Sequence, residues 1–364
     1  MYEEIVNTGK YAAYYYGNNS NKKDVIVFCF AGIHGDIQKK GFGVDFFINR
    51  NFDVIFVSCK KGSYYQELSN DLLYKHVAEY IKDKQVFTYG VSLGGYAALY
   101  YAQALGAKAI AFSPRCSADP IYKNAHKLKV QYNHDFSFEN CGAVSEMPIV
   151  IIDKQEEKDS IYLSRRVLPA FPKGIDEVNL HFATHNIPKA MQELNILKEF
   201  ITYIVSNKKV PKFDFDFTNS VFCLSHYSMI KARDGFYEEA NKGLERILYL
   251  QKSKGLKIKL NEWRLLAYKA LIEHAALNHK VERSSITGTE KSGVIKAHVL
   301  RVKNNDSHEK FLVSQFHMHI ALMEYELALE LAKFISVLYT DIIKHKNYIN
   351  IAKANKKHAE KWVN

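Results

Sequence analysis

The chain has few of the residues that commonly decide a fold by themselves. Its 364 residues include only seven prolines and five cysteines, and no two cysteines have the Cys-x-x-Cys spacing of a redox or metal motif. An odd set of scattered thiols argues against a disulfide framework and predicts reduced cysteines. These cysteines are Cys29, Cys59, Cys116, Cys141 and Cys223.

Long apolar runs are also lacking. The most apolar stretches have the length of strands, whereas a membrane-spanning helix needs about 20 such residues. The first residues, Met1 to Glu4, are acidic and include no apolar run, so we expect no secretory signal. Together with the reduced cysteines, this predicts a cytoplasmic protein.

Metal-ligand spacings are missing as well. His317 and His319 flank Met318 within a helical pattern, and on a helix such close neighbours point to different faces. We therefore expect no metal site.

What the chain does have is a serine at a predicted turn between a strand and a helix. Gly90 and Gly94 flank Ser92 in Gly-x-Ser-x-Gly spacing. A sharp strand-to-helix turn needs glycines at these positions, because it leaves no room for side chains two residues either side of the serine. The apolar run 85–89 before it is typical of a buried parallel strand, and the alanine-rich run 96–102 is typical of a buried helix. This context predicts a nucleophilic serine.

The motif and its context resemble the α/β-hydrolase superfamily, over about residues 24–205. The resemblance implies an α/β fold with a mainly parallel sheet flanked by helices, and a serine followed in the chain by an acid and a histidine. Strand patterns and helical patterns alternate along the rest of this segment, as such a sheet requires. Strand patterns lie at 24–30, 52–57, 109–112 and 148–152, and a helical pattern lies at 70–81.

The resemblance places the acid after the strand pattern 148–152. In the family it commonly lies a few residues beyond the strand end, within a Glu-x-Asp triplet, which matches Glu157 to Asp159. The resemblance therefore implies Asp159 as the catalytic acid. Asp153, close to the strand end, is the alternative acid, and either carboxylate could instead be an ordinary solvated loop residue.

The resemblance places the histidine after the last strand. The alternating run 177–183 predicts that strand, and His185 lies in the loop that follows. His181 falls within the run and is expected to be a half-buried sheet residue. His185 would accept the proton of Ser92, while Asp159 would hold the imidazole and stabilise its positive charge.

Two backbone N–H groups should stabilise the negative oxygen of a tetrahedral intermediate. One is expected from Leu93, at the start of the helix that follows the serine. The second is expected from the loop after strand 24–30, with Ile33 as first choice and Gly32 next. Where the family commonly has His-Gly, this chain has Ala31-Gly32, which leaves the choice between the two open.

Residues 113–147 form a mixed polar and aromatic segment. The family commonly inserts a lid at this point, and lid residues would shape the substrate pocket. The other interpretation is an ordinary crossover helix with a long loop.

The charge divides the chain in two. Residues 1–205 carry 23 Lys and Arg against 22 Asp and Glu, a balance of +1, whereas residues 206–364 carry 27 against 17, a balance of +10. With the polar run 206–209 and Pro211, this predicts a catalytic domain over 1–205 and a basic, mainly helical accessory domain over 206–364. Helical patterns lie at 236–251, 262–276, 311–338 and 341–362, with a strand-like piece at 294–302.

The surplus positive charge favours an anionic partner, such as an acidic polysaccharide, a lipid-carrier phosphate or coenzyme A. A solvated lysine-rich surface is equally compatible with it. Nucleic acid is not expected, because no binding motif accompanies the scattered lysines.

Finer features extend the resemblance. The run 90–100, followed by Ala111-Phe112-Ser113-Pro114, is similar to bacterial α/β-hydrolase-type proteins associated with surface-polysaccharide assembly. This implies adding or removing acyl groups on sugar hydroxyls.

Three functions are therefore considered. The first is an ester hydrolase, for example one acting on O-acylated carbohydrate, and the second is an O-acyltransferase. The two differ in whether water or a sugar hydroxyl attacks the acyl-enzyme. The third is a binding or scaffolding protein without turnover. The hydrolase needs no cofactor, and the transferase needs an acyl donor of the acetyl-coenzyme A type.

Overall fold

The computed structural model describes residues 2–17, 24–233 and 236–254, together with 316, 328–329, 332 and 348–354. The chain divides into two compact units, Met1–Phe217 and Thr218–Asn364. This division comes later than the expected one at 205/206, because the segment after residue 205 still packs within the first unit. There the Phe213 ring contacts the Phe200 ring edge-on, with 4.9 Å between the ring centres.

The first unit is built on one eight-stranded sheet. The strands are β1 (Glu3–Asn7), β2 (Tyr11–Tyr16), β3 (Val25–Phe30), β4 (Asp53–Cys59), β5 (Gln85–Val91), β6 (Lys108–Phe112), β7 (Ile149–Ile152) and β8 (Asp176–Asn179). The order across the sheet is β1-β2-β4-β3-β5-β6-β7-β8. The pairs β1·β2 and β2·β4 are antiparallel, and every other neighbouring pair is parallel.

The central strands are buried over nearly their whole length. β4, β6 and β7 have no exposed residue, and β3 has one residue that is only partly buried. Helices on both faces of a parallel sheet produce this burial, which is why these strands have continuous apolar runs rather than alternation. The five strand patterns before residue 153 are confirmed. β1 and β2 add an antiparallel pair that no alternating pattern predicts.

The predicted last strand is too long, however. β8 ends at Asn179, although the alternating run continues to residue 183. Phe182 and Thr184 have φ values of 64° and 50°, a left-handed backbone conformation that a strand does not accommodate. His181 therefore lies in an exposed turn beyond the strand, and its expected place in the sheet is wrong.

Helices connect the strands and cover the sheet. They are α1 (Val44–Ile48), α2 (Asn70–Ile81), α3 (Leu93–Ala102), α4 (Glu157–Tyr162), α5 (Leu168–Ala170), α6 (Ile187–Glu193), α7 (Leu197–Asn207), α8 (Val221–Arg233) and α9 (Tyr237–Lys254). Ser69 caps α2 by accepting a hydrogen bond of 3.2 Å from the N–H of Leu72, and serine is a preferred residue at this capping position. All ten residues of α3 are buried.

The segment 113–147 follows an irregular path over α3. Its regular parts are two short helical turns, Ala125–Leu128 and Phe138–Gly142. The crossover-helix interpretation is therefore wrong. The segment carries buried side chains, among them Phe136 and His134, so it is packed into the unit.

His134 fastens this segment to α3. Its ring stacks on the Tyr100 ring with 4.0 Å between centres. Its Nδ1 lies 2.7 Å from the Tyr96 hydroxyl, and its Nε2 lies 2.9 Å from the carbonyl oxygen of Leu68. Burial lowers the pKa of His134 to about 4, so the neutral ring donates from Nε2 to the carbonyl and accepts from the hydroxyl at Nδ1.

In the second unit, α8 and α9 form a helix pair, and α9 confirms the helical pattern at 236–251. Residues 348–354 are also helical. Most of the patterns at 311–338 and 341–362, all of those at 262–276 and 294–302, and both His317 and His319 lie outside the described residues. Within the described ranges, no helix combines the length and apolar character needed to cross a bilayer.

Candidate active site

Ser92 sits on a tight turn between β5 and α3. Its backbone has φ 58° and ψ −118°, a conformation that costs energy for any residue other than glycine and that is found where a serine is held out of a strand-to-helix turn. A Cβ at Gly90 would collide with the carbonyl of Gly94, and a Cβ at Gly94 would collide with the carbonyl of Phe30. The two glycines are therefore required by the close approach of β3, β5 and α3.

Three side chains from distant parts of the chain meet at this turn. The Ser92 Oγ lies 2.8 Å from Nε2 of His185. The His185 Nδ1 lies 2.9 Å and 2.8 Å from the two carboxylate oxygens of Asp159. A carboxylate can only accept, so Nδ1 carries a proton and Nε2 is free to accept the hydroxyl proton of Ser92.

The topology explains why these residues meet. Ser92 follows β5, Asp159 follows β7 at the start of α4, and His185 follows β8. Since these strands are parallel, their carboxyl ends lie at one edge of the sheet. Asp159 is fully buried there, while 26% of the His185 side chain is exposed. The structure thus brings together the three residues predicted as nucleophile, acid and base.

Asp153, the alternative acid, has a different set of contacts. It is also buried, but its Oδ1 accepts from the N–H of Gln155 at 2.9 Å, and its Oδ2 accepts from the N–H of Thr184 at 2.8 Å. Asp153 therefore holds the backbone next to His185 rather than the imidazole. The structure does not place it where the acid would act.

The three predicted backbone donors lie around the same turn. Leu93 is the first residue of α3, so its N–H has no acceptor within the helix. The Ala31 N–H is used by the carbonyl of Val57 at 3.0 Å, which leaves the next two N–H groups, those of Gly32 and Ile33, as the candidates. A Cβ on Gly32 would lie 3.9 Å from the carbonyl oxygen of the residue preceding Ser92, so this loop borders the Ser92 turn.

Arg115 is a site residue that the sequence alone does not single out. Its Nη1 donates to Oδ1 of Asp159 at 2.9 Å and lies 3.6 Å from Oε1 of Glu156. Its backbone N–H donates to the carbonyl oxygen of Ser92 at 3.2 Å. The available signal was its position, three residues beyond the end of β6 at the carboxyl edge of the sheet.

Glu156 completes the charged surroundings. Burial raises the pKa of its carboxyl group, and the negative charge of Asp159 raises it further, whereas the Arg115 cation opposes both effects. Among the described residues, no cluster of His, Cys, Asp and Glu could hold a metal ion. The described site itself offers a hydroxyl, an imidazole and charged side chains.

The mainly parallel sheet, the serine turn between strand and helix, and the chain order serine, aspartate, histidine define an α/β-hydrolase fold. A family described as "Uncharacterised protein family (UPF0227)" matches residues 39–202, a range that contains all three side chains. No protein of curated function matches the chain.

Solved structures of similar fold include three hydrolase-type proteins. A sugar hydrolase (YeeB) from Lactococcus lactis is 12% identical, with a TM-score of 0.41, over 57% of this chain and 98% of its own. An alpha-beta serine hydrolase homologue from Coxiella burnetii is 13% identical, with a TM-score of 0.36, over 57% and 97%. Alpha/beta hydrolase domain-containing protein 10 from mouse is 12% identical, with a TM-score of 0.36, over 57% and 100%.

Proposed function

We propose that this protein is a serine ester hydrolase that acts through an acyl-enzyme, with O-acylated carbohydrate as a candidate substrate. The observation that supports this most is the hydrogen-bonded chain from Ser92 Oγ to His185 Nε2, at 2.8 Å, and from His185 Nδ1 to Asp159. A serine hydroxyl alone is a poor nucleophile at neutral pH, and this arrangement provides the base that it needs.

In the proposed reaction, the Ser92 oxygen attacks the ester carbonyl carbon while its proton passes to His185 Nε2. The tetrahedral intermediate then collapses, the bond to the leaving alcohol breaks, and the alcohol takes the proton from the imidazolium. A water molecule next gives its proton to His185 and attacks the acyl group, which releases the acid and restores Ser92. The Asp159 carboxylate stabilises the imidazolium in both halves.

The negative oxygen of each tetrahedral intermediate would be held by backbone donors. We assign one to the N–H of Leu93, at the positive end of α3. The other is assigned to the loop of Gly32 and Ile33. Loss of one such donor commonly costs about 100- to 1000-fold in turnover.

The experiment that tests the proposal is labelling with a serine-directed fluorophosphonate. Ser92→Ala should abolish labelling, and His185→Ala and Asp159→Asn should slow it by at least about 100-fold. Asp153→Asn is the matched control, since it changes a buried aspartate of the same loop that contacts backbone instead; its labelling should stay within about 10-fold of wild type.

Each contrary result has a specific meaning. Undiminished labelling of His185→Ala would move the base to His181 or His34. If Asp159→Asn is labelled at the wild-type rate and Asp153→Asn is labelled slowly, the catalytic acid is Asp153 and not Asp159. A wild-type protein that does not react at all would overturn the proposal and favour a scaffolding role.

An O-acyltransferase is the second candidate, favoured by the balance of +10 over residues 206–364. Such a charge would attract an anionic partner, such as an acidic polysaccharide, a lipid-carrier phosphate or a coenzyme A donor. The intact mass of the protein after brief exposure to acetyl-coenzyme A, with Ser92→Ala beside it, distinguishes the two. An acetyl adduct that requires Ser92 supports the transferase, whereas reactivity with fluorophosphonate but no adduct and no released thiol supports the hydrolase or another donor.

A further inference from the structure

We propose that Arg115 is a positioning residue of this site: its guanidinium orients the Asp159 carboxylate and places a fixed positive charge beside the pair formed by Asp159 and His185. The inference rests on the proposed function. It assigns a role to a side chain outside the serine, histidine and aspartate set.

The first argument is geometric, because Arg115 connects two sides of the site. Its backbone N–H is bonded to the carbonyl of Ser92 at 3.2 Å, which ties it to the nucleophile turn. Its side chain reaches across to Asp159 Oδ1 at 2.9 Å. One residue therefore fixes the acid relative to the nucleophile without touching the histidine that lies between them.

The second argument is burial. The Asp159 side chain is fully buried, so both of its oxygens need partners from the protein. Oδ2 is bonded to His185, whereas Oδ1 is shared between His185 and Arg115. A charge-assisted bond from a planar guanidinium limits the orientations of the carboxylate more than a bond from water would. Arg115 is itself largely shielded, with 21% of its side chain exposed.

The third argument is charge. Arg115 and His185 contact the same oxygen atom, so the guanidinium is close enough to oppose a second positive charge on the imidazole. Glu156 acts in the opposite direction: its carboxylate interacts with both Arg115 and His185. Lys158 and Tyr122 also border this group; burial lowers the pKa of Lys158, and the Arg115 cation lowers it further. Replacing Arg115 by a neutral residue should therefore change the pH dependence of the reaction in the direction opposite to replacing Glu156.

The test compares Arg115→Gln, Arg115→Lys and Glu156→Gln by the rate of fluorophosphonate labelling between pH 4.5 and 9. In Arg115→Gln the acid limb of the profile should move up by about 1 pH unit. Glu156→Gln should move it down, and Arg115→Lys, which keeps the charge, should leave it near wild type but lower the plateau by about 3- to 10-fold. Opposite movements in the two glutamine variants support the proposal.

A uniform loss of labelling at every pH in Arg115→Gln, with no movement of the limb, would reduce Arg115 to a structural residue and overturn the proposal. So would movement in the same direction by Arg115→Gln and Glu156→Gln. If Arg115→Gln fails to fold, as judged by circular dichroism, Glu156→Gln still tests the charge effect through the position of the limb, and Arg115→Lys still tests the orientation of Asp159 through the plateau.

A second readout separates this inference from the proposed function. The His185 ring can be titrated by NMR in protein with labelled histidine, in the Ser92→Ala background, with His185→Asn used to assign the signal. The midpoint should rise when Arg115 becomes Gln, whether or not the wild-type protein turns over an ester. An unchanged midpoint overturns the role of Arg115, whereas absence of wild-type labelling with a shifted midpoint overturns only the proposed function.

Discussion

The buried ring of His134 should make the first unit sensitive to mild acid. The ring is neutral in the folded protein, with a pKa lowered by burial to about 4 from an ordinary value of 6.5. Because the folded-state pKa is the lower one, the unfolded chain binds the proton more readily between these values. Stability is therefore full above about pH 6.5 and is lost as the pH falls toward 4.

The size of the loss follows from the two pKa values. Between pH 7.5 and 5, the free energy of unfolding should fall by about 2 kcal/mol through this group alone, and below pH 4 the loss approaches about 3 kcal/mol. The side chain is 5% exposed and both ring nitrogens are bonded within the protein. Solvent screening should therefore reduce this loss of unfolding free energy only slightly.

The assay is urea unfolding at pH 7.5, 6 and 5, followed by the near-ultraviolet circular dichroism of the buried tyrosines. His134→Gln should be less stable than wild type at pH 7.5, because the stack on Tyr100 is lost. Between pH 7.5 and pH 5, however, the free energy of unfolding of His134→Gln should fall by about 2 kcal/mol less than that of wild type. Carboxylates contribute equally to both proteins and cancel in this difference.

His181→Gln is the matched control, since that histidine is exposed in a turn, and its pH dependence should follow wild type. Parallel loss of stability in wild type and His134→Gln between pH 7.5 and 5 would refute the reasoning. It would mean that the His134 ring is charged, or already released, in the folded protein.

Three further outcomes are expected. Gly94→Ala should slow fluorophosphonate labelling by about 100-fold, because the new methyl group meets the carbonyl of Phe30 and displaces the start of α3. Asp153→Ala should lower the free energy of unfolding by about 1–3 kcal/mol, because the N–H of Thr184 loses a buried acceptor. All five cysteines are buried, and burial raises the pKa of Cys116 to about 12, so iodoacetamide at pH 8 should modify none of them until urea unfolds the protein.

Each of these has a contrary result. Wild-type labelling of Gly94→Ala would mean that β3 and α3 are less closely packed than the structure has them. An Asp153→Ala protein as stable as wild type would remove the link between the loops after β7 and β8. Rapid alkylation of the native protein would place at least one thiol in solvent.

The spacing of residues along the chain determined the local features of this protein. Gly90, Ser92 and Gly94 lie within one turn, where steric limits act between close neighbours, so the turn could be predicted from five residues. The buried parallel strands could be predicted for the same reason, since their apolar runs are continuous.

Tertiary structure separated two residues that the sequence had ranked but not resolved. Asp153 and Asp159 belong to one charged stretch, and only the packing of α4 shows that Asp159 faces His185 while Asp153 binds backbone. Likewise, the positive φ values of Phe182 and Thr184 ended β8 early, which no side-chain pattern revealed.

The contacts that complete the site join residues far apart in the chain. Ser92 and His185 are 93 positions apart, and Arg115 and Asp159 are 44 positions apart. A sequence pattern records the propensities of neighbours, whereas a charge pair over such a separation depends on which strand ends the sheet places side by side. The chain alone therefore determined the nucleophile turn and the order of serine, aspartate and histidine. Only the assembled sheet edge placed Asp159 rather than Asp153 against His185 and added Arg115, because burial and distance exist only after the strands have paired.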